Sequence, residues 1–253
     1  MFDHFRFVLC HTTHPGNIGA TARALKTMGF SRLVLVQPRH FPSDEATVRA
    51  SGADDLLQQA TLCTTLDEAL QGTTLAVGLT ARRRDLSHPM LTLRDMAVNA
   101  PLEASGAGEV ALVFGTEMSG LSNAELDLCQ RLVHIPTDPT FSSLNLASAV
   151  QLVAYELRQT LLQDATQLPQ TREYPLAHHE ELEQFYRHLE RVLLASTFLD
   201  PQHPGRLMTR LRRLFSRARI EREEVNILRG ILKSLYPADN GSDPVDTRTA
   251  SHV

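Results

Sequence analysis

Short apolar runs alternate with helical patterns from the start of the chain to about residue 163. The runs are rich in Val, Leu and Ile and are bounded by turn residues, as buried strands are. They cover residues 5–10, 32–36, 74–79, 110–114 and 132–135, with a weaker candidate at 61–64. Apolar strands that alternate with helices form parallel sheets covered on both faces. The alternation therefore predicts an α/β domain over residues 1–163.

The helical patterns lie between these strands and continue after the last one. They cover residues 18–28, 43–57, 66–70, 91–98, 123–129 and 142–162. In the last of them, Leu146, Val150, Val153 and Leu157 recur at helical spacing, and a long helix at the end of a domain often packs against a partner.

A second, smaller domain is predicted beyond this body. Residues 164–179 are polar, contain two prolines and are typical of a linker. Three helical patterns at 180–196, 205–217 and 221–235 predict a small all-α domain over residues 180–236. The polar segment 237–253 is typical of a disordered tail.

Charge is distributed unevenly between the two domains. The formal net charge is −4, but residues 181–236 contain 11 basic and 7 acidic residues, a balance of +4. The rest of the chain contains 14 basic and 22 acidic residues, a balance of −8. A basic module on an acidic body suggests a polyanionic partner such as nucleic acid, and the alternative is a solvated helical surface.

The cysteines, the histidines and the hydropathy of the chain argue against several classes of protein. Cys10, Cys63 and Cys129 have no metal-binding spacing and are odd in number, which favours a reducing, cytoplasmic location. His11 and His14 lack a third ligand at useful spacing, so we expect no metal site. The first residues lack the apolar core of a signal peptide, and no apolar run is long enough to span a membrane.

The turn after the first strand, "HTTHPGNIGATAR" at 11–23, lies where α/β proteins bind anionic ligands. The dinucleotide fingerprint G-x-G-x-x-G is absent, and so is the P-loop pattern. In their place stand Gly16, Asn17 and Gly19, followed by Arg23. A dinucleotide or triphosphate is therefore disfavoured as the ligand of this turn.

Three further strands run into unusual loops, "TAR" at 80–82, "GTEMSGLS" at 115–122 and "PTDPTFSSLN" at 136–145. Carboxyl ends of parallel strands meet at one edge of a sheet, where ligands bind. Glycine lets the backbone approach a ligand closely. Backbone groups near Gly115, Gly120 and Ile135 are thus suited to reading the edge of a nucleoside base.

The segments "NIGATAR", "VFGTEMSGLS" and "IPTDPTFSSLNLASAV" resemble the three ordered motifs of the SPOUT family of RNA methyltransferases. With "LTARRR", "ASGADD", "FLDPQHPGRLMTRLRRLF" and "NILRGIL", the chain is most similar to the bacterial tRNA ribose 2′-O-methyltransferases of that family. The resemblance covers about residues 5–235. It implies S-adenosylmethionine as cofactor, a C-terminal trefoil knot, a homodimer with its sites at the interface, and methylation of the first nucleotide (cytidine or uridine) of the tRNA anticodon loop.

The resemblance also assigns residues. It implies cofactor contacts from the loops that follow the strands, at Thr80, Ala81, Gly115, Gly120, Ile135, Ser142, Ser143 and Leu144. The backbone at Ser142 and Leu144 is expected to make the contact, and Ser143 is expected beside both the cofactor and the target ribose.

The expected catalytic set is Arg23, Ser143, Asn17 and Glu117. The resemblance makes Arg23 the catalytic arginine, although on pattern alone a solvated surface arginine is the commoner outcome. Asn17, Ser143 and Asn145 also fit plain helix caps, and Glu117 fits an acid at a helix N-terminus. A guanidinium stays charged in proteins, which favours stabilising an oxyanion or clamping a phosphate over acting as a base.

The RNA-binding residues are expected among the arginines. Arg23, Arg82 and Arg84 are near the site, and the helical domain contributes Arg210, Arg213 and Arg217. In that domain Leu207, Leu211 and Leu214 are expected to share an apolar face, which leaves a basic stripe for phosphates.

Three other functions stay open at this point: ribose methylation of another tRNA site or of rRNA, a non-catalytic RNA-binding protein with the same fold, and a nicotinamide oxidoreductase. The intact set Arg23, Glu117, Ser143 and Asn145 argues against a protein that has lost activity. The missing dinucleotide fingerprint argues against the oxidoreductase.

Overall fold

The computed structural model describes residues 1–81, 90–104, 108–163 and 174–236. Within these residues a seven-stranded sheet has the order β3-β2-β1-β6-β4-β7-β5, and every neighbouring pair is parallel. The strands are β1 (Phe5–Cys10), β2 (Arg32–Val36), β3 (Thr61–Cys63), β4 (Leu75–Leu79), β5 (Met90–Thr92), β6 (Val110–Phe114) and β7 (Arg131–His134). The predicted parallel sheet is confirmed.

The helices of the body are α1 (Pro15–Met28), α2 (Asp44–Ala50), α3 (Asp54–Gln58), α4 (Leu66–Ala69), α5 (Leu93–Glu103), α6 (Asn123–Asp127) and α7 (Leu146–Gln163). The single helix predicted at 43–57 is wrong, because Ser51 adopts a left-handed conformation (φ 48°) and ends α2. The helix predicted at 91–98 begins within β5, a strand that was not predicted. Its three residues are too few to show the alternation of apolar and polar side chains that indicates a strand.

The core lies on both faces of the sheet. Side chains alternate along β1, so Phe5, Phe7 and Leu9 pack under α1, α2, α3, α5 and α7, whereas Val8 and Cys10 pack under α4 and α6. The prediction of helices on both faces is therefore confirmed.

The C-terminal helices are α8 (His179–Ala195), α9 (Leu207–Ala218) and α10 (Arg222–Leu235), and they enclose a core of their own. Phe185 and Phe215 pack edge to face with ring centroids 4.9 Å apart. The predicted apolar face of α9 is wrong at Leu214, which is 49% exposed, because Met208 and Phe215 are the residues turned toward α8 and α10.

This helical domain is docked against one end of the sheet. The His179 amide donates to the Thr73 carbonyl oxygen at 2.8 Å, and Arg131 donates to the Ser216 carbonyl oxygen at 2.8 Å. Arg219 donates to the Thr74 carbonyl oxygen at 3.0 Å and forms a bidentate ion pair with Glu103.

The boundary between the two domains is only partly described. Of the predicted linker, residues 174–179 are described, and Leu176 and Ala177 within them are buried. Residues 164–173 of that linker and the predicted tail 237–253 lie outside the described residues. Among the described helices, none is long and apolar enough to cross a membrane.

Candidate active site

A cavity of about 190 Å³ opens at the carboxyl ends of β4, β6 and β7. These strands are neighbours in the sheet, so the loops that follow them converge there. All eight residues predicted to contact the cofactor line this cavity, namely Thr80, Ala81, Gly115, Gly120, Ile135, Ser142, Ser143 and Leu144. The loops that sequence motifs singled out are thus brought together.

Further lining residues were missed because they belong to strand ends, to other positions of the loop at 115–122 or to the first turns of α7. They are Leu79, Phe114, Thr116, Met118, Ser119, Leu121, Leu146 and Ala149. Six of the eight are apolar, and five of the eight directly precede or follow a predicted contact, so adjacency was the available signal.

The chemistry of the cavity suits a nucleoside joined to a thioether or sulfonium. Among the described lining residues none is basic, so a phosphate has no counter-charge there. Apolar side chains form the walls, and the hydroxyls of Thr116, Ser119, Ser142 and Ser143 supply polar groups. A Cβ at Gly115 would lie 2.1 Å from the Gly120 carbonyl carbon, so only glycine lets the two ends of this loop close around the cavity.

Glu117 also lines the cavity, and its carboxylate accepts four hydrogen bonds from the turn before α1 and from the first turn of that helix. Oε2 accepts from the Thr13 amide at 3.1 Å and the Thr13 hydroxyl at 2.9 Å, while Oε1 accepts from the His14 amide at 3.2 Å. The fourth donor is Asn17 Nδ2, 2.9 Å from Oε1. Glu117 lies in a turn at 116–120, so the expectation that it opens the next helix is wrong; α6 begins at Asn123. Its carboxylate instead accepts hydrogen bonds at the N-terminus of α1.

Two opposing effects act on the ionisation of Glu117. Partial burial raises the pKa of its carboxyl group, but the hydrogen bonds from Asn17, Thr13 and His14 outweigh burial and lower the pKa to about 2. The side chain is therefore an anion at neutral pH and serves as a hydrogen-bond acceptor rather than as an acid.

A further hydrogen bond connects Asn17, in the first motif, with Asn145, in the third. Asn145 Nδ2 donates to Asn17 Oδ1 at 2.9 Å, and Asn145 Oδ1 accepts from the amides of Ala147 and Ser148 at the start of α7. Asn145 thus caps α7, as one interpretation expected. Asn17 is not a cap, because α1 begins at Pro15 and Asn17 lies inside its first turn.

The remaining expected catalytic residues have exposed side chains. Ser143 lies at the cavity and precedes α7, which begins three residues later. Arg23 lies on α1, is exposed and does not line the cavity of its own chain. Within the described residues its guanidinium has no recorded hydrogen bond or ion pair, so it is available to a substrate.

The arginines of the helical domain fall into two groups. Arg210 and Arg217 are exposed and Arg213 is partly exposed, as an RNA contact requires. In contrast, Arg212 pairs with Glu183 and stacks 4.4 Å from the Tyr186 ring centroid, and Arg219 pairs with Glu103, so both stabilise the fold. Arg82 and Arg84 lie outside the described residues. Where the chain is described, no three His, Cys, Asp or Glu side chains cluster as a metal site.

Family comparison agrees with this geometry. Residues 4–155 match the SpoU rRNA Methylase family, and residues 180–244 match the C-terminal domain of the tRNA methyltransferase TrmJ. The protein is a methyltransferase with an α/β SPOUT fold, and it belongs to the SpoU methylase family. The methyl donor of this enzyme class is S-adenosylmethionine.

The chain is also similar to individual TrmJ proteins over most of its length. The chain is 49% identical to the tRNA (cytidine/uridine/adenosine-2′-O-)-methyltransferase TrmJ of Pseudomonas aeruginosa, across 95% of this chain and 97% of the relative. It is 50% identical to the tRNA (cytidine/uridine-2′-O-)-methyltransferase TrmJ of Pectobacterium atrosepticum, across 93% and 98%. The crystal structure of TrmJ from Z. mobilis ZM4 superposes with a TM-score of 0.79 at 33% identity, covering 91% of this chain and 98% of that one.

Proposed function

We propose that the protein transfers a methyl group from S-adenosylmethionine to the ribose 2′-hydroxyl of tRNA, at the first nucleotide of the anticodon loop, a cytidine or uridine. The similarity to TrmJ enzymes over nearly the whole chain supports the reaction and the substrate class. One structural observation carries the proposal. The loops that follow β4, β6 and β7 line a single cavity, and the Glu117–Asn17–Asn145 hydrogen bonds hold the start of α1, which carries Arg23, beside two of these loops.

The cofactor fits the residues present. The backbone around Gly115, Gly120 and Ile135 would hold the adenine edge. Thr80 and Ala81 would add further cofactor contacts. Ser142, Ser143 and Leu144 would lie at the methionine end. When bound, S-adenosylmethionine supplies an electrophilic methyl group on a cationic sulfonium. The absence of a basic residue among the described lining residues means that this cation meets no repulsion there.

Arg23 acts on the substrate ribose. A 2′-hydroxyl is a weak nucleophile at neutral pH, so alignment and stabilisation of the developing negative charge dominate the catalysis. The guanidinium keeps its proton, because an arginine side chain is not deprotonated in proteins. It therefore donates hydrogen bonds to the ribose oxygen or to the adjacent phosphate, while Ser143 positions the ribose at the cavity mouth. Glu117 and Asn17 act indirectly, by fixing the start of the helix that carries Arg23.

The exposed arginines supply affinity for tRNA without reading its bases. Arg210, Arg213 and Arg217 lie on the surface of α9, and Arg82 and Arg84 follow the cofactor loop. Contacts with phosphates position an RNA and make its binding depend on salt.

We infer a homodimer whose interface lies next to the cavity. Met118, at the cavity, is 92% exposed and Phe141 is 81% exposed, and Tyr155 and Leu162 on α7 are also exposed. Exposed apolar groups are typical of an interaction surface where they form a continuous patch, and we infer that these residues contribute to one. The family resemblance adds a trefoil knot formed by the loops around the cavity. A cytoplasmic location accords with three buried cysteine thiols, which carry no disulfide.

The experiment that tests the proposal uses labelled S-adenosylmethionine, purified protein and tRNA that lacks ribose methylation. Nuclease digestion and mass spectrometry then locate the methyl group. A 2′-O-methyl group on the first anticodon-loop nucleotide supports the proposal. A methyl group elsewhere, or only on rRNA, overturns the assigned site, and cofactor binding without transfer to any RNA favours a non-catalytic protein.

The same assay decides the accepted bases. The TrmJ relatives from Pseudomonas aeruginosa and Pectobacterium atrosepticum differ in whether adenosine appears in their names, and the chain is about equally identical to both. Matched tRNAs with cytidine, uridine or adenosine at the target position measure the preference directly.

A further inference from the structure

Helix α2 lies along α1 and runs in the same direction. Near the start of α1, the Glu45 carboxylate lies 2.7 Å from the position that a Cβ on Gly16 would take. Near its end, Lys26 Nζ donates to the Gly52 carbonyl oxygen at 3.0 Å and to Asp55 Oδ1 at 2.7 Å. The last turn of α2, which carries Arg49, therefore lies beside α1 between these two points.

Gly19 sets how closely the two helices approach. A Cβ at this position would lie 2.0 Å from the Ala46 carbonyl oxygen and 2.9 Å from Arg49 Cβ. No larger residue fits there without moving α2, because the first of these contacts is with backbone. The missing side chain brings the stem of Arg49 directly against the backbone of α1.

This approach places Arg49 next to Arg23. Arg23 follows Gly19 by one helical turn, and residues four apart on a helix have Cβ atoms about 5–6 Å apart. The Cβ atoms of Arg49 and Arg23 are therefore within about 9 Å of each other. Both side chains are long enough to reach one ligand on this surface.

Neither guanidinium forms an ion pair within the described residues, and the Glu45 carboxylate lies one helical turn before Arg49 on α2. Both are exposed, and no ion pair or hydrogen bond is recorded for either guanidinium, whereas Lys26 on the same surface is paired with Asp55. Two unpaired guanidinium groups on neighbouring helices repel each other weakly in water. An anion between or beside them removes that repulsion and accepts paired N–H bonds from each.

We propose that Arg49 binds a backbone phosphate of the RNA substrate adjacent to the nucleotide on which Arg23 acts. The inference rests on the proposed function, because it takes RNA as the substrate. A phosphodiester fits the planar guanidinium fork, which binds two phosphate oxygens at once. Arg49 is then a substrate-binding residue that fixes the register of the RNA on α1, and it makes no contact with the cofactor cavity.

The test compares Arg49→Ala with Arg49→Lys and with Val48→Ala. Val48 is the neighbouring residue on α2 and is 76% exposed, so its substitution controls for effects on the helix. Binding of unmethylated tRNA is measured across a salt series, and S-adenosylhomocysteine binding and thermal unfolding are measured alongside. We expect Arg49→Ala to weaken tRNA binding about ten-fold and to reduce the salt slope by about one. Arg49→Lys keeps the charge, so we expect it to lose less tRNA affinity than Arg49→Ala. We expect Val48→Ala to bind tRNA as the unmodified protein does. Cofactor affinity and the unfolding temperature should stay unchanged in all three variants.

Two results overturn the inference while leaving the proposed function intact. One is unchanged tRNA affinity and salt slope in Arg49→Ala, with normal methyl transfer. The other is an equal loss of tRNA binding, cofactor binding and thermal stability, which means that Arg49 only supports the packing of α2. Failure of the unmodified protein to methylate or bind any tRNA overturns the proposed function itself, and the Arg49 inference with it.

Discussion

Asn17 and Glu117, one hundred positions apart, are joined by a 2.9 Å hydrogen bond from the Asn17 amide nitrogen to a carboxylate oxygen. A carboxylate only accepts hydrogen bonds, so the NH₂ group of Asn17 must face Glu117 and its oxygen must face Asn145. Asn145 then turns its own oxygen toward the amides that open α7. The direction of every bond in this chain follows from the charge of Glu117, and the chain connects all three motif loops.

We predict that Asn17→Ala and Asn145→Ala each lower the free energy of unfolding by about 1–2 kcal/mol, because each leaves a polar partner without its bond. Methyl transfer falls as well, since the loops lose their common anchor. A double-mutant cycle measured by denaturant unfolding should give a coupling energy above about 0.5 kcal/mol. Ser148→Ala, an exposed change on the same helix, is the control. Additive effects of the two substitutions would contradict a connected network.

We predict that Glu117 stabilises the fold in a pH-dependent way. Its pKa is about 2 in the folded protein and lies near 4.5 without these contacts. Between these values the unfolded chain binds more protons, so stability rises with pH there. The contribution is complete above about pH 4.5 and is lost as the pH falls toward 2. The measurement is the difference in unfolding free energy between the unmodified protein and Glu117→Gln from pH 7 to pH 3. A difference that stays constant over this range would disprove the assignment.

We predict that Arg23→Ala lowers the rate of methyl transfer by about 100- to 1,000-fold, as expected when one donor to a developing oxyanion is removed. S-adenosylhomocysteine affinity should stay near normal, because Arg23 does not line the cavity. Stability should change by less than about 0.5 kcal/mol, since the side chain is exposed. Single-turnover kinetics and calorimetry check the two parts. Equal losses of transfer and cofactor binding would make Arg23 a structural residue.

We predict opposite consequences for two arginines near the end of α9. Arg219→Ala removes the bidentate ion pair with Glu103 and the hydrogen bond to the Thr74 carbonyl oxygen, and it should destabilise the protein by about 1.5–3 kcal/mol. Arg217→Ala removes an exposed charge and should leave stability within about 0.5 kcal/mol while weakening tRNA binding. Chemical unfolding and a tRNA binding assay distinguish the two. If both variants lose only tRNA affinity, the ion pair does not hold the domains together.

The strands were predictable because a buried strand appears in the sequence as a short run of apolar residues. The limits of β1, β2 and β6 agree with the apolar runs residue for residue, and β4 and β7 differ by one residue at their ends. The cofactor loops were also predictable, since motif residues follow the carboxyl ends of strands that a parallel sheet aligns at one edge. β5 was missed because its three residues carry no period, and Ser51 ended a helix that the apolar pattern continued.

The sequence by itself determined the parallel α/β architecture, the small helical domain and the set of loops that meet at the cavity, because hydrophobic periodicity and short motifs are read within a few neighbouring residues. Only the tertiary structure decided which polar groups meet. Asn17 was equally consistent with a plain cap until the sheet order brought β1 beside β6 and set the 116–120 turn against α1. Arg212 and Arg219 were indistinguishable from Arg217 until the folded contacts paired the first two with acids. The physical reason is that a hydrogen bond or ion pair depends on the distance between two side chains, and folding sets that distance for residues far apart in the chain.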